Sequence, residues 1–145
     1  MFPGMPWQRC QFHLQHNAQG YVSKLNQRTP VARQIRAIFN ASDAHEAQRM
    51  LNVAIKDWQL SHPKLAEWCQ TNLPAGLAVF GLPDAHRVRM RTTNGLERLN
   101  KELKRRTRVA ALFPNTDSCQ RLVSALITEQ DEEWMTTKIY LNMKP

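Results

Sequence analysis

Nine cations and two carboxylates share the segment from Arg87 to Arg108, RVRMRTTNGLERLNKELKRRTR. The cations are Arg87, Arg89, Arg91, Arg98, Lys101, Lys104, Arg105, Arg106 and Arg108, and the acids are Glu97 and Glu102. Nine minus two is +7, against +8 for the whole chain. The other residues carry eleven basic and ten acidic side chains and nearly cancel. A local excess of this size implies a polyanionic partner, most commonly nucleic acid. A carboxylate set among the cations can also hold a divalent ion beside a phosphate, which would turn a binding surface into a phosphoryl-transfer site.

Glu97 has two readings. It is a candidate catalytic, metal-binding carboxylate, of which two-metal chemistry needs several. Asn94-x-x-Glu97 also fits a capping box, with Glu97 returning a hydrogen bond to the cap. Glu102 falls about 140° further round a helix, so at most one of the two acids serves a given metal site. Lys101, Lys104, Arg105, Arg106 and Arg108 read as phosphate contacts, which position a duplex without reading its sequence. Cys10-x-x-His13 has ligand types suited to zinc or to a nucleophilic pair. A structural zinc site needs four ligands, however, and no second pair has matching spacing. A small buried thiol beside a hydrogen-bonded imidazole is the preferred reading. Tryptophans can stack on bases, but Trp58 and Trp68 fall on apolar helical faces and read as core.

The elements that must hold these residues are mainly helical. A short strand is expected over 7–12, then helices over 13–25 and 31–39, with Pro30 in the first turn of the second. Asp43 and Glu46 fit a capping box, opening a helix with Ala47, Met50, Leu51, Ala54, Ile55 and Trp58 inward. A shorter helix carries Leu65, Ala66, Trp68 and Cys69. The apolar stretch 73–86, broken by Gly and Pro, reads as a connection or short strand. The basic helix spans 95–107, capped by Asn94, with Leu96, Leu99 and Leu103 on its buried side. The last helix runs from about 117 to 134, with Leu122, Val123, Leu126 and Ile127 inward. A lone strand cannot pair its own backbone groups and needs a sheet, which is not visible in this chain.

The bulk properties narrow the class. A chain of 145 residues suffices for one ordinary domain. Its 42% hydrophobic and 22% charged content fits a soluble globular protein rather than a disordered one. No apolar run reaches membrane-spanning length, and no secretory signal opens the chain. Cys10, Cys69 and Cys119 are odd in number and widely spaced, which argues against a disulfide framework and for a reducing, cytoplasmic setting.

Taken together, the residues resemble the C-terminal part of the Mutator-type bacterial insertion-sequence transposases. The likeness is carried by Gln8-Arg9-Cys10-Gln11-Phe12-His13, which fits a Q-x-C-x-x-H pattern, preceded by Phe2-Pro3. It continues in Leu73-Pro74-Ala75-Gly76 and in Arg91-Thr92-Thr93-Asn94-Gly95-Leu96-Glu97-Arg98-Leu99-Asn100. Phe113-Pro114-Asn115, Glu132-Glu133-Trp134 and Tyr140-Leu141 support it. The resemblance implies a ribonuclease H-like α/β core of the Asp-Asp-Glu recombinase type, interrupted by a helical insertion. Such enzymes cut and join element DNA with two divalent ions, Mg²⁺ or Mn²⁺. Glu97, between Asn94 and Asn100, would be the family's metal-binding glutamate, and Arg91 and Arg98 join the expected DNA contacts. Cys10 and His13 would lie at the end of a core strand.

The same resemblance divides the chain into 1–28 (last core strand and following helix), 29–86 (helical insertion) and 87–145 (glutamate helix and C-terminal helix). It places both catalytic aspartates upstream of Phe2-Pro3. The sequence is therefore expected to be a truncated transposase that holds no metal and is inactive alone. The alternative is a DNA-binding or regulatory fragment that interferes with full-length transposase or associates with itself.

Overall fold

The computed structural model describes residues 7–110 and 112–136. The turn-rich opening at Phe2-Pro3-Gly4-Met5-Pro6 and the Tyr140-Leu141 pair lie outside them. Among the described residues the chain is mainly α-helical, with no strand. It divides into two compact units, Met1–Thr92 and Thr93–Pro145.

The first unit contains α1 (Gln11–Gln19), α2 (Leu25–Phe39), α3 (Ala44–Ser61), α4 (Pro63–Asn72) and α5 (Asp84–Met90). Two 3₁₀ turns, Leu73–Gly76 and Ala78–Gly81, connect α4 to α5. Its core is continuous. Leu14 and Ala18 of α1 meet Val31, Ile35, Ile38 and Phe39 of α2, Leu51, Ala54 and Trp58 of α3, and Leu65, Cys69 and Leu73 beyond. At the start of α3 the Asp43 half of the expected box forms, its carboxylate accepting from the Glu46 N–H at 2.9 Å, while the Glu46 carboxylate accepts from Arg49 at 2.7 Å. Trp58 is buried as expected, while Trp68 is half-buried and lies against Tyr21.

Three expectations are corrected. The stretch 7–12 is not a strand: residues 7–10 precede α1, which already contains Gln11 and Phe12. Its backbone donors find partners without a sheet, since the Arg9 N–H donates to the Ala75 carbonyl at 2.8 Å and the Gln11 N–H to the Arg91 carbonyl at 2.9 Å. Cys10 consequently flanks a helix start and His13 sits within α1, rather than at a strand end. The second helix does not begin at Pro30 but runs through it from Leu25. The early turn that loses its bond there is largely exposed, where water can serve the freed carbonyl. Finally, α5 occupies part of the stretch read as a connection, with Pro83 just ahead of its first residue.

The second unit contains α6 (Asn94–Val109) and α7 (Thr116–Thr136). The Asn115 side chain accepts from the Ser118 N–H at 2.8 Å and opens α7. Neither helix has a buried residue. Leu99, Leu103, Leu122, Val123 and Leu126 are half-buried, whereas Leu96 and Ile127, expected to point inward, are exposed. A pair of helices covers less apolar surface than a closed bundle.

This contrast has a measurable consequence. Leu65→Ala, in the closed core, is expected to destabilise the chain by about 3 kcal/mol. Leu96→Ala should change stability by less than about 0.5 kcal/mol. Urea denaturation followed by circular dichroism checks both.

Candidate nucleic-acid interface

The basic segment is divided by the fold, and its cations do different things. Arg87 is turned onto its own unit. Its guanidinium donates to the Leu82 carbonyl at 3.0 Å and the Phe80 carbonyl at 3.2 Å, pairs with Asp84 at 2.9 Å and lies 5.5 Å from the centre of the Phe80 ring. Arg91 is likewise engaged. Its Nε donates to the Gln11 Oε1 at 2.9 Å, and its Nη2 to the Phe39 carbonyl at 3.2 Å and to the Asn40 Oδ1. Arg91 was expected to contact DNA; here three of its donor contacts go to the protein.

Gln11 is the buried partner in this arrangement, at 3% exposure. Its Nε2 donates to the Gly76 carbonyl at 2.8 Å. Gln8 donates to the same carbonyl at 3.1 Å, and its own Oε1 accepts from the Val79 N–H at 2.7 Å. The glutamines of the Q-x-C-x-x-H pattern therefore stitch α1 to the 3₁₀ turns. A Cβ at Gly76 would come within 2.7 Å of Leu14 Cδ1 and 2.9 Å of Phe39 Cε1, so a larger residue there would displace these core side chains. Cys10 is half-buried and His13 exposed, its ring edge-on to Phe12 with centroids 5.4 Å apart. Among the described residues no group of three His, Cys, Asp or Glu side chains could hold a metal ion.

The remaining site residues lie on α6. At about 100° per residue, Asn94, Glu97, Arg98, Lys101, Lys104, Arg105 and Arg108 fall within an arc of about 120°. All seven are exposed. Asn94 and Asn100 stand about 60° to either side of Glu97. Leu96, Leu99 and Leu103 occupy the opposite side, which makes the helix strongly two-faced.

The capping geometry differs from the expected box. Thr93 precedes the helix and Asn94 is its first residue. The Glu97 N–H donates to the Thr93 carbonyl at 2.8 Å, and the Thr93 hydroxyl donates to the Glu97 carboxylate at 2.5 Å. The carboxylate is thus oriented at the helix's positive end, where negative charge is favoured.

Glu102 has a different task. It accepts bidentately from Arg105, at 2.7 and 2.9 Å, and from Arg106 at 2.8 Å. Arg106 also reaches Glu129 of α7 at 2.8 Å. Hydrogen bonds from Arg105, then Arg106, hold the Glu102 carboxyl at about 2, against an ordinary 4.5. Glu102 therefore lowers repulsion among the cations of its own helix and orients Arg106, whose other contact, to Glu129, ties α6 to α7, while Glu97 lies within the cationic stripe. In the first unit, burial pushes the Cys69 thiol up to about 12, which makes it an inert core residue.

Known proteins are similar to this chain along its length. The model of the family described as "Transposase, Mutator family" matches residues 1–137. The transposase for insertion sequence element IS406 of Burkholderia multivorans is 60% identical over 145 residues, covering all of this chain and 37% of that protein. The transposase for element ISRM5 of Rhizobium meliloti is 36% identical, covering 99% of this chain and 36% of its own length. The transposase for IS256 in transposon Tn4001 of Staphylococcus aureus is 30% identical, covering 97% and 36%. The chain thus spans little more than a third of the length of these relatives. No solved structure matches it. Among the described residues, no helix is long and apolar enough to cross a membrane.

The Glu102 linkage predicts a pH dependence. Its folded value lies below the ordinary one, so its contribution is complete above about pH 4.5 and is lost as the pH falls toward 2. Helical content of the α6–α7 pair should fall over that window, and Glu102→Gln should flatten the fall. Acid titrations of both chains by circular dichroism make the comparison.

Proposed function

The chain belongs to the Mutator family of transposases, and on that premise we propose that it serves DNA transposition by supplying a glutamate and a DNA-contacting helix face to the enzyme. One observation carries the reading: α6 sets Glu97 among Arg98, Lys101, Lys104, Arg105 and Arg108 on one exposed face. The cations neutralise phosphates along a duplex and release its counterions. Glu97, prealigned by the Thr93 hydroxyl, then stands beside the backbone that is to be cut and joined. Arg91 acts in this reading as a brace within the first unit.

Mg²⁺ or Mn²⁺, when bound in pairs, supplies charge stabilisation to the attacking and leaving oxygens of a phosphodiester. The hard carboxylate oxygens of Glu97 suit such an ion in kind. One carboxylate does not suffice in number, so further ligands would come from elsewhere in the intact enzyme. The ribonuclease H-like core belongs to the proposal, with 29–86 as its helical insertion.

A second reading rests on the closed core of the first unit. The segment would then act as a DNA-binding module that occupies element DNA or joins the oligomer of an intact transposase.

A chimaera tests the first reading. These residues replace the equivalent segment of the Burkholderia relative, and excision of a marked element is scored in cells. Glu97→Gln is expected to abolish excision, by more than about a thousandfold given the size of single electrostatic contributions to such steps. Glu102→Gln should retain it. Equal activity of the Glu97→Gln and parent chimaeras would refute the assignment.

A further inference from the structure

The near balance of charge outside Arg87–Arg108 conceals a second asymmetry. Residues 1–42 contain Arg9, Lys24, Arg28, Arg33 and Arg36 and not one aspartate or glutamate; the first acid is Asp43. This acid-free segment includes α1 and α2, and it is also where rings reach the surface. Trp7 is 75% exposed, Phe12 59% and Tyr21 44%. Soluble proteins usually cover rings of this size, so exposed rings on a segment that has cations and no acid of its own call for a partner.

The rings are ordered. Phe12 and His16 lie nearly parallel, 12° apart, with centroids 6.3 Å apart. Further along, Tyr21 leans on Trp68, 5.3 Å between centroids and 30° between planes. His16, Tyr21 and Trp68 line one open hollow of 440 Å³, together with Asn17 and Arg28. That volume is within the range in which proteins take small ligands. Arg28 is fixed by its Nε, which donates to the Val22 carbonyl at 3.0 Å.

We propose that this hollow and the rings of Phe12 and His16 on α1 bind an unpaired DNA strand, with bases stacking on Tyr21 and Phe12 and a phosphate meeting Arg28. Exposed rings with interleaved cations are the chemistry of single-strand recognition, because every base has a stacking face and every nucleotide one charge. A duplex hides its base faces, so the surface discriminates strand from helix. Asn17 adds an amide able to pair with a base edge. The site lies wholly within the first unit and uses none of the residues on α6.

The test uses the whole chain and two fluorescent probes, an oligothymidylate strand and a duplex of equal length, read by anisotropy. Tyr21→Ala and Phe12→Ala remove exposed rings and leave the core intact. Each is expected to weaken strand binding on the order of tenfold, the effect of losing one base stack, with duplex binding unchanged. Tyr21→Phe should restore strand binding. Lys101→Ala with Lys104→Ala should weaken the duplex arm, which separates this site from the role of α6. Photo-crosslinking of an iodouridine-substituted strand should label Tyr21 or Trp68. Strand affinity that is unaffected in both alanine variants, or equal losses for strand and duplex, would overturn the proposal, as would crosslinks confined to the second unit.

Discussion

A buried side-chain amide has to satisfy a donor and an acceptor at once, and at Gln11 this requirement joins three distant stretches of chain. Its Nε2 takes the Gly76 carbonyl and its Oε1 takes Arg91. The Arg91 carbonyl accepts from the Gln11 backbone in return. An unmet partner at such depth would cost about 1–3 kcal/mol. The irregular turns after α4, which have no ladder to pair with, are therefore held by side chains. Gln8, Gln11 and Arg9 do the work that a sheet would do for a strand. No buried side-chain nitrogen or oxygen among the described residues lacks a partner. The chain leaves this first unit at Thr92, one residue past the braced Arg91.

The second unit obeys a different constraint. Cations crowded on one helix repel one another, and the helix persists because repulsion is divided. Glu102 takes two arginines and Glu129 shares one of them, on the side of α6 nearer α7. Exposed ion pairs of this kind contribute little each; their effect is to choose which cations remain for a partner. Arg98, Lys101, Lys104 and Arg108 carry most of the potential that α6 presents to solution, with the exposed Arg105 beside them partly offset by Glu102. Two acids five residues apart are thus differently placed: Glu102 holds arginines of its own helix, and Glu97 stands on the exposed cationic face.

Much of this was legible in the residues. Helical periodicity located α3 and its buried face, because Ala47, Leu51, Ala54, Ile55 and Trp58 recur at helical spacing and Asp43 caps the start. The charge run located α6, and the angle of about 140° between Glu97 and Glu102 on a helix separates them. The strand over 7–12 was misread because alternation in a short segment does not distinguish a strand from an extended stretch bonded to loops. Arg87 entered the charge excess and Arg91 the expected DNA contacts because sequence records charge but not direction. The pairing of Gln11 with Arg91 spans eighty residues, and nothing local announces it. The absence of acids from 1–42 was visible all along but lay hidden in a sum.

The central claim is that one face of α6 meets the DNA backbone with Glu97 in its midst. Nitrogen-15 NMR of the whole chain, titrated with a short duplex at low salt, tests it most directly. The expected result is that the side-chain and amide signals of Arg98, Lys101, Lys104 and Arg108 move first, with Glu97 among them, and that Leu99 and Leu103 stay still. Shifts spread evenly over both faces of the helix, or confined to the first unit, would contradict it.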